Sequence, residues 1–235
     1  MPAGHLGWAD PGGSPTCIRI HGERRRSRAG IRAMKLFYSP GACSLSPHII
    51  LREGGFSFTT EKVDIRAKKT AAGEDFHAIN PKGYVPALQL DDGSLLTEGP
   101  AIVQFLADQV PDKKLAPANG TLERYRLQEM LNFISTEIHK GFSPLFNPAF
   151  PDDVKRLTRE RLAQRLGVLE VVVAKQAFLL GDQFTVADAY LFTTLNWAGH
   201  TKVDLEPFPA LRAYHARVAD RPSVQEALKA EGLAK

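Results

Sequence analysis

The chain has 235 residues, 43% of them apolar, which is enough for one large domain or two small ones around a packed core. No apolar run approaches the length of a membrane span. The net charge of +4 comes from 30 basic and 26 acidic residues, but six Arg and only two acids precede Met34. From Met34 onward the balance is 24 to 24, so the folded body offers no basic cluster of the kind nucleic acid requires, and neither a nucleic-acid nor a membrane partner is expected.

Residues 1–33 are rich in Gly, Pro and Arg and lack apolar periodicity, so a disordered basic extension is expected there. Lys35–Tyr38 reads as a strand, and Ser46–Gly54 as a helix with Pro47 in its first turn. Phe56–Asp64 alternates as a strand. A polar stretch, Arg66–Asp75, then leads to a short helix near Glu74–Ile79. Val85–Leu90 and Ser94–Leu96 form a predicted hairpin across Asp91-Asp92-Gly93, and Glu98–Asp108 is predicted helical. The order is β-α-β-α-β-β-α over residues 34–110. Residues 111–120, with Pro111, Pro117 and Gly120, read as a linker.

From Thr121 to the C-terminus only helices are expected, giving an α/β unit followed by an all-helical unit over 121–235. The first helix carries Leu127, Met130, Leu131, Ile134 and Ile138 on one face. Asn132, Thr136, His139 and Lys140 form a polar stripe roughly opposite. Later helices are predicted at about 152–176, 186–198, 207–219 and 222–230.

Cys43 is the one cysteine of the body, between a Pro-Gly turn and the first turn of a helix. Unpaired N–H groups and the positive end of the helix dipole favour a thiolate there. A single body cysteine cannot form a bridge within the body, which points to a reducing, cytoplasmic setting. Val85-Pro86 invites a cis peptide. Thr97-Glu98-Gly99-Pro100 opens a helix whose N–H groups suit a carboxylate, while Glu98 suits an ammonium. Thr185-Val186-Ala187-Asp188 is a capping box, a structural role for Asp188.

Five segments carry a resemblance, in order and in spacing. They are YSPGACSLSPH at 38–48, INPKGYVPAL at 79–88, LLTEGPAIVQFLAD at 95–108, NFISTEIHKGFSPLF at 132–146 and GDQFTVADAYLF at 181–192. Together they resemble the cytosolic glutathione S-transferases, and most closely the bacterial beta class, from Met34 to the C-terminus. The resemblance implies a thioredoxin-like βαβαββα domain followed by an all-helical domain. It implies an enzyme, with glutathione as substrate and no cofactor or metal. Cys43 would contact the glutathione sulfur, with Ser44 able to donate to the same atom. Val85 and the cis Pro86 would pair with the cysteinyl backbone of glutathione. Glu98 would take the γ-glutamyl amine, the Gly99 N–H its carboxylate, and Lys68 the glycyl carboxylate. The stripe of Asn132, Thr136, His139 and Lys140 would face the thiol, with Phe142 among the aromatics lining a pocket for a hydrophobic electrophile. A homodimer is also implied.

The leading expectation is conjugation of glutathione to small hydrophobic electrophiles. A thiol–disulfide oxidoreductase working through a mixed disulfide at Cys43, and a non-catalytic ligand-binding module, are the alternatives.

Overall fold

The structure is a computed structural model, and it describes residues 34–234. The disorder expected for residues 1–33, and Cys17, lie outside the described residues.

The described residues begin with strand β1 (Met34–Tyr38), helix α1 (Leu45–Glu53) and strand β2 (Phe58–Asp64). A two-residue strand β3 (Lys69–Thr70) and a short helix α2 (Phe76–Ile79) follow. The hairpin β4 (Ala87–Gln89) and β5 (Leu95–Thr97) then leads into α3 (Gly99–Gln109). The sheet order is β3-β2-β1-β4-β5, with β1 and β2 parallel and every other pair antiparallel. The strand β3 corrects the expected order. Two residues are too few to show a period of two, so the polar stretch concealed it.

Alternation along β1 sends its side chains to opposite faces of the sheet. Leu36, with Leu88 of β4, joins the large core beneath α1 and α3. Phe37 joins a smaller cluster with Val63, Phe76, Val85 and Ala87 on the other face. Leu90 and Ser94 close the hairpin through a backbone bond of 2.8 Å, with Gly93 at φ +86° where the turn requires it.

A single 3₁₀ turn, Pro111–Lys113, sits in the connection. One long helix then runs as α4 (Leu122–Phe133), a π-helical segment (Ile134–His139) and α5 (Lys140–Phe146). It is followed by α6 (Asp152–Val173), α7 (Val186–Leu195), α8 (Trp197–Thr201), α9 (Pro209–Ala219) and α10 (Pro222–Ala230). The helix expected over 186–198 is therefore two, meeting at Asn196. All ten residues of α7 are buried, as expected of a helix packed on every side. Of the predicted apolar face of α4, Leu127, Leu131, Ile134 and Ile138 are buried and Met130 is partly so.

The capping box is present. Thr185 Oγ1 accepts from Ala187 N–H at 3.3 Å, and Asp188 Oδ2 accepts from Thr185 N–H at 2.8 Å. Among the described residues no helix is long and apolar enough to cross a membrane.

Candidate active site

A cavity of about 520 Å³ opens between the sheet unit and the helix running from α4 to α5. One wall carries Cys43, Tyr84, Val85, Pro86, Glu98, Gly99 and Pro100. The other carries Ser135, Thr136, His139, Lys140, Ser143 and Tyr190.

Cys43 stands just ahead of α1, and its turn is fixed from the far end of the chain. Gly41, at φ +70°, donates its N–H to Glu231 Oε2 at 2.9 Å, and its C=O accepts from the Trp197 indole at 2.8 Å. Glu231 is itself held: His48 Nδ1 lies 2.8 Å from Oε1, and Arg52 Nε–H donates to His48 Nε2 at 3.2 Å. Only a glycine reaches that φ without strain, and the Leu233 side chain would lie 3.7 Å from any added Cβ. The turn is thus held at both backbone polar atoms of one residue.

The Cys43 thiol donates to Val85 C=O at 3.2 Å. Burial pushes this thiol up to about 12, against the pull of the Cys43 and Ser44 backbone N–H groups, and the Glu98 charge pushes it further. This corrects the expectation of a thiolate. The helix N-terminus acts as expected, but loss of water around the sulfur outweighs it.

Ser44 is fully buried and turned away from the cavity. Its hydroxyl donates to Ser39 C=O at 3.2 Å and accepts from Ser39 N–H at 3.1 Å, so it neither faces the thiol nor caps α1. Its part is to close the loop that carries Cys43.

The Val85–Pro86 peptide is cis. Val85 C=O is engaged by the thiol, whereas the Val85 N–H has no partner among the described residues. Glu98 occupies the left-handed region at φ +69° immediately before α3. Its Oε1 accepts from Lys82 Nζ at 2.6 Å and from Tyr84 OH at 2.7 Å, and these bonds hold its carboxyl below the usual range. Lys68 lies outside the cavity lining, with its ammonium donating to Gly83 C=O at 2.6 Å. It braces the loop leading into Tyr84-Val85-Pro86.

On the helical wall, Thr136, His139 and Lys140 line the cavity and Asn132 does not. Asn132 is exposed one turn farther along the helix, and its C=O accepts from Thr136 Oγ1 at 3.0 Å. Phe142 is fully buried against Trp197, ring centroids 5.7 Å apart, so it packs the core and lines no pocket. This corrects its assignment to the electrophile pocket. Ser135 and Ser143 were missed, although each lies four residues from His139 and so extends the polar stripe by one helical step.

Tyr190 was also missed. It comes from α7, 51 residues on, and no periodicity connects it to the stripe. Its hydroxyl is 2.6 Å from His139 Nδ1, and burial pushes its own acidity well away from neutral pH.

Burial lowers His139 to about 4, with the Lys140 ammonium adding to the effect and the Glu98 charge opposing it. The imidazole is therefore neutral across the physiological range. Activity should show no histidine inflection between about pH 5.5 and 8. A log-rate profile that bends near 6.5, and loses the bend in His139→Gln, would overturn this.

Among the described residues no group of three or more His, Cys, Asp or Glu side chains is placed to hold a metal.

The chain is similar to known proteins along most of its length. The family model described as glutathione S-transferase, N-terminal domain, matches residues 41–109, and that for the C-terminal domain matches residues 133–222. Glutathione S-transferase GstA of Escherichia coli O157:H7 is 51% identical over 200 residues, covering 85% of this chain and 100% of that protein. Among solved structures, the ternary complex of BphK, a bacterial transferase of this kind, is 59% identical with a TM-score of 0.84. The match covers 85% of this chain and 100% of that one. The bacterial beta class glutathione S-transferase of Sphingomonas chungbukensis is 50% identical with a TM-score of 0.83, and the coverage is again 85% and 100%.

Proposed function

Because the chain belongs to the glutathione S-transferase family, alongside its bacterial beta class, we propose that the cavity around Cys43 is where glutathione binds and meets its electrophile. The chain is a transferase with the family's thioredoxin-like and helical units, and glutathione is its substrate. The residue roles, the hydrophobic character of the electrophile, a homodimer and a cytoplasmic location belong to the proposal.

One observation carries this reading. A thiol, an unpaired backbone N–H and a carboxylate, at Cys43, Val85 and Glu98, line the same cavity wall. Glutathione offers a sulfur, a cysteinyl backbone and an ammonium in that chemical order. The Val85 N–H donates to the cysteinyl C=O as an added strand would. Glu98 takes the ammonium through a charge-assisted hydrogen bond, and the Gly99 N–H faces the neighbouring carboxylate.

The geometry gives Cys43 a specific part. As a neutral thiol it is a hydrogen-bond donor, and a bound glutathione thiolate can take over the bond now made to Val85 C=O. That bond strengthens as the sulfur becomes an anion and weakens as the new S–C bond forms, so it mainly lowers the pKa of the bound thiol. The proton passes to solvent, the sulfur lone pair attacks the electrophilic carbon, and the leaving group departs. Neutral His139 and Tyr190, facing the thiol across the cavity, orient the acceptor without adding charge. The rest of the advantage is the holding of two reactants together. Disulfide exchange at Cys43 would instead need the thiolate that burial disfavours.

Calorimetric titration with glutathione, beside a glutathione-dependent aryl-halide conjugation assay, tests the reading. Wild type should bind and turn over, and Glu98→Gln should bind on the order of tenfold more weakly. Binding weaker than millimolar together with no turnover would leave only a ligand-binding module.

A further inference from the structure

We propose that Lys82 is a glutathione-binding residue, and that it forms with Glu98 an ion pair that reads the ammonium and the α-carboxylate of the γ-glutamyl end together. The proposal rests on the placement of the glutathione ammonium at Glu98 given above.

The γ-glutamyl end of glutathione is a zwitterion, with both charges on a single carbon. A lone carboxylate facing it attracts the ammonium and repels the neighbouring carboxylate. The site needs a positive charge beside the negative one, on the same side as the second ligand group.

Lys82 supplies that arrangement. Its Nζ lies 2.6 Å from Glu98 Oε1 and 3.0 Å from Thr97 Oγ1. Tyr84 OH also donates to Oε1, so both protein donors converge on one carboxylate oxygen. Glu98 Oε2 has no partner among the described residues, which leaves it free for an incoming ammonium. The ammonium can bind without displacing Lys82, and Lys82 can turn its one remaining N–H bond toward the adjacent carboxylate. The protein pair and the ligand pair then lie side by side with opposite polarity.

The backbone alone cannot do this. Of the first amides of α3, Pro100 has no N–H, and those of Ala101 and Ile102 are committed to Glu98 C=O at 3.0 Å each. Only the Gly99 N–H remains for a carboxylate with two oxygens, and the glycine adds no side-chain donor. Side-chain exposures of 45% for Lys82 and 53% for Glu98 leave the pair open to a ligand.

The test uses the whole chain, Lys82→Met and Lys82→Arg, with calorimetry for three thiols: glutathione, 4-aminobutanoyl-Cys-Gly, which lacks the α-carboxylate, and glutaryl-Cys-Gly, which lacks the α-amine. Lys82→Met should weaken glutathione on the order of tenfold and Lys82→Arg much less. The methionine penalty should shrink to within about twofold for 4-aminobutanoyl-Cys-Gly and persist for glutaryl-Cys-Gly. Unchanged or tighter glutathione binding by Lys82→Met would overturn the proposal, making Lys82 a bystander or a competitor for Glu98. A methionine penalty that persists for 4-aminobutanoyl-Cys-Gly and vanishes for glutaryl-Cys-Gly would also overturn it, because Lys82 would then act only by holding Glu98 in place. If Glu98→Gln loses nothing with glutathione while Lys82→Met does, the placement of the ammonium fails and the carboxylate contact stands. Failure of wild type to bind glutathione would remove both.

Discussion

Asp188→Ala should lower the free energy of unfolding by roughly 3–5 kcal/mol, with the conjugation rate per folded molecule unchanged. The carboxylate is fully buried and receives four donors. Oδ1 accepts from Leu179 N–H at 2.8 Å and Tyr214 OH at 2.9 Å. Oδ2 accepts from Thr185 N–H at 2.8 Å and Thr185 Oγ1 at 3.1 Å. Burial pushes this carboxyl up and the donors pull it back, and only the ionised form can serve all four. Alanine leaves two buried amides without partners, leaves the Tyr214 phenol only its 3.5 Å contact to the backbone C=O of residue 188, and opens the start of α7, a helix packed against α1, α3, α4, α8 and α9. Urea unfolding gives the stability, and conjugation normalised to the folded fraction gives the activity. Asp188→Asn, which can accept at one oxygen but must present an NH₂ to donors, should fall between the two. A variant of wild-type stability that has lost turnover would place Asp188 in the chemistry.

The second large effect is at the thiol. Cys43→Ala should reduce aryl-halide conjugation by about tenfold, less than the loss of a strong oxyanion donor because a thiol donates weakly. Cys43→Ser should recover most of that rate, since a hydroxyl donates at least as well. Glutathione-dependent disulfide reduction should be near background already in wild type, whose buried thiol is scarcely ionised, and absent in both variants, because neither side chain can form a mixed disulfide. A thiol held at about 12 has a thiolate fraction on the order of 10⁻⁵ at pH 7, so the unliganded protein should resist alkylation by iodoacetamide near neutral pH. Conjugation by Cys43→Ala at the wild-type rate would remove the donor role. Rapid alkylation at pH 7 would show that the helix N-terminus prevails over burial after all.

Where the sequence could be read, local physics decided the outcome. The capping box at Thr185 and Asp188, the turn at Asp91-Asp92-Gly93 and the buried face of α4 each depend on residues within a few positions of one another. What escaped depends on distant parts of the fold. Tyr190 reaches His139 across 51 residues, and the acidity of Cys43 reflects how much water the folded walls exclude. Ser44 and Phe142 show the same limit at close range: residue type suggested a role, but which way each side chain turned was set by packing against Ser39 and Trp197. Asn132 fits the stripe by angle and misses the cavity by one turn along the axis.

The clamp on Gly41 also bears on when the protein becomes active. Gly41 and Glu231 are separated by 190 residues, so the turn that carries Cys43 emerges from the ribosome long before the carboxylate that fixes it. A nascent or prematurely terminated chain that stops before residue 231 carries every group of the cavity lining, yet leaves the Gly41 amide to water. Chemical competence is thereby deferred until the last helix has docked, and incomplete translation products would have the thiol without its fixed setting.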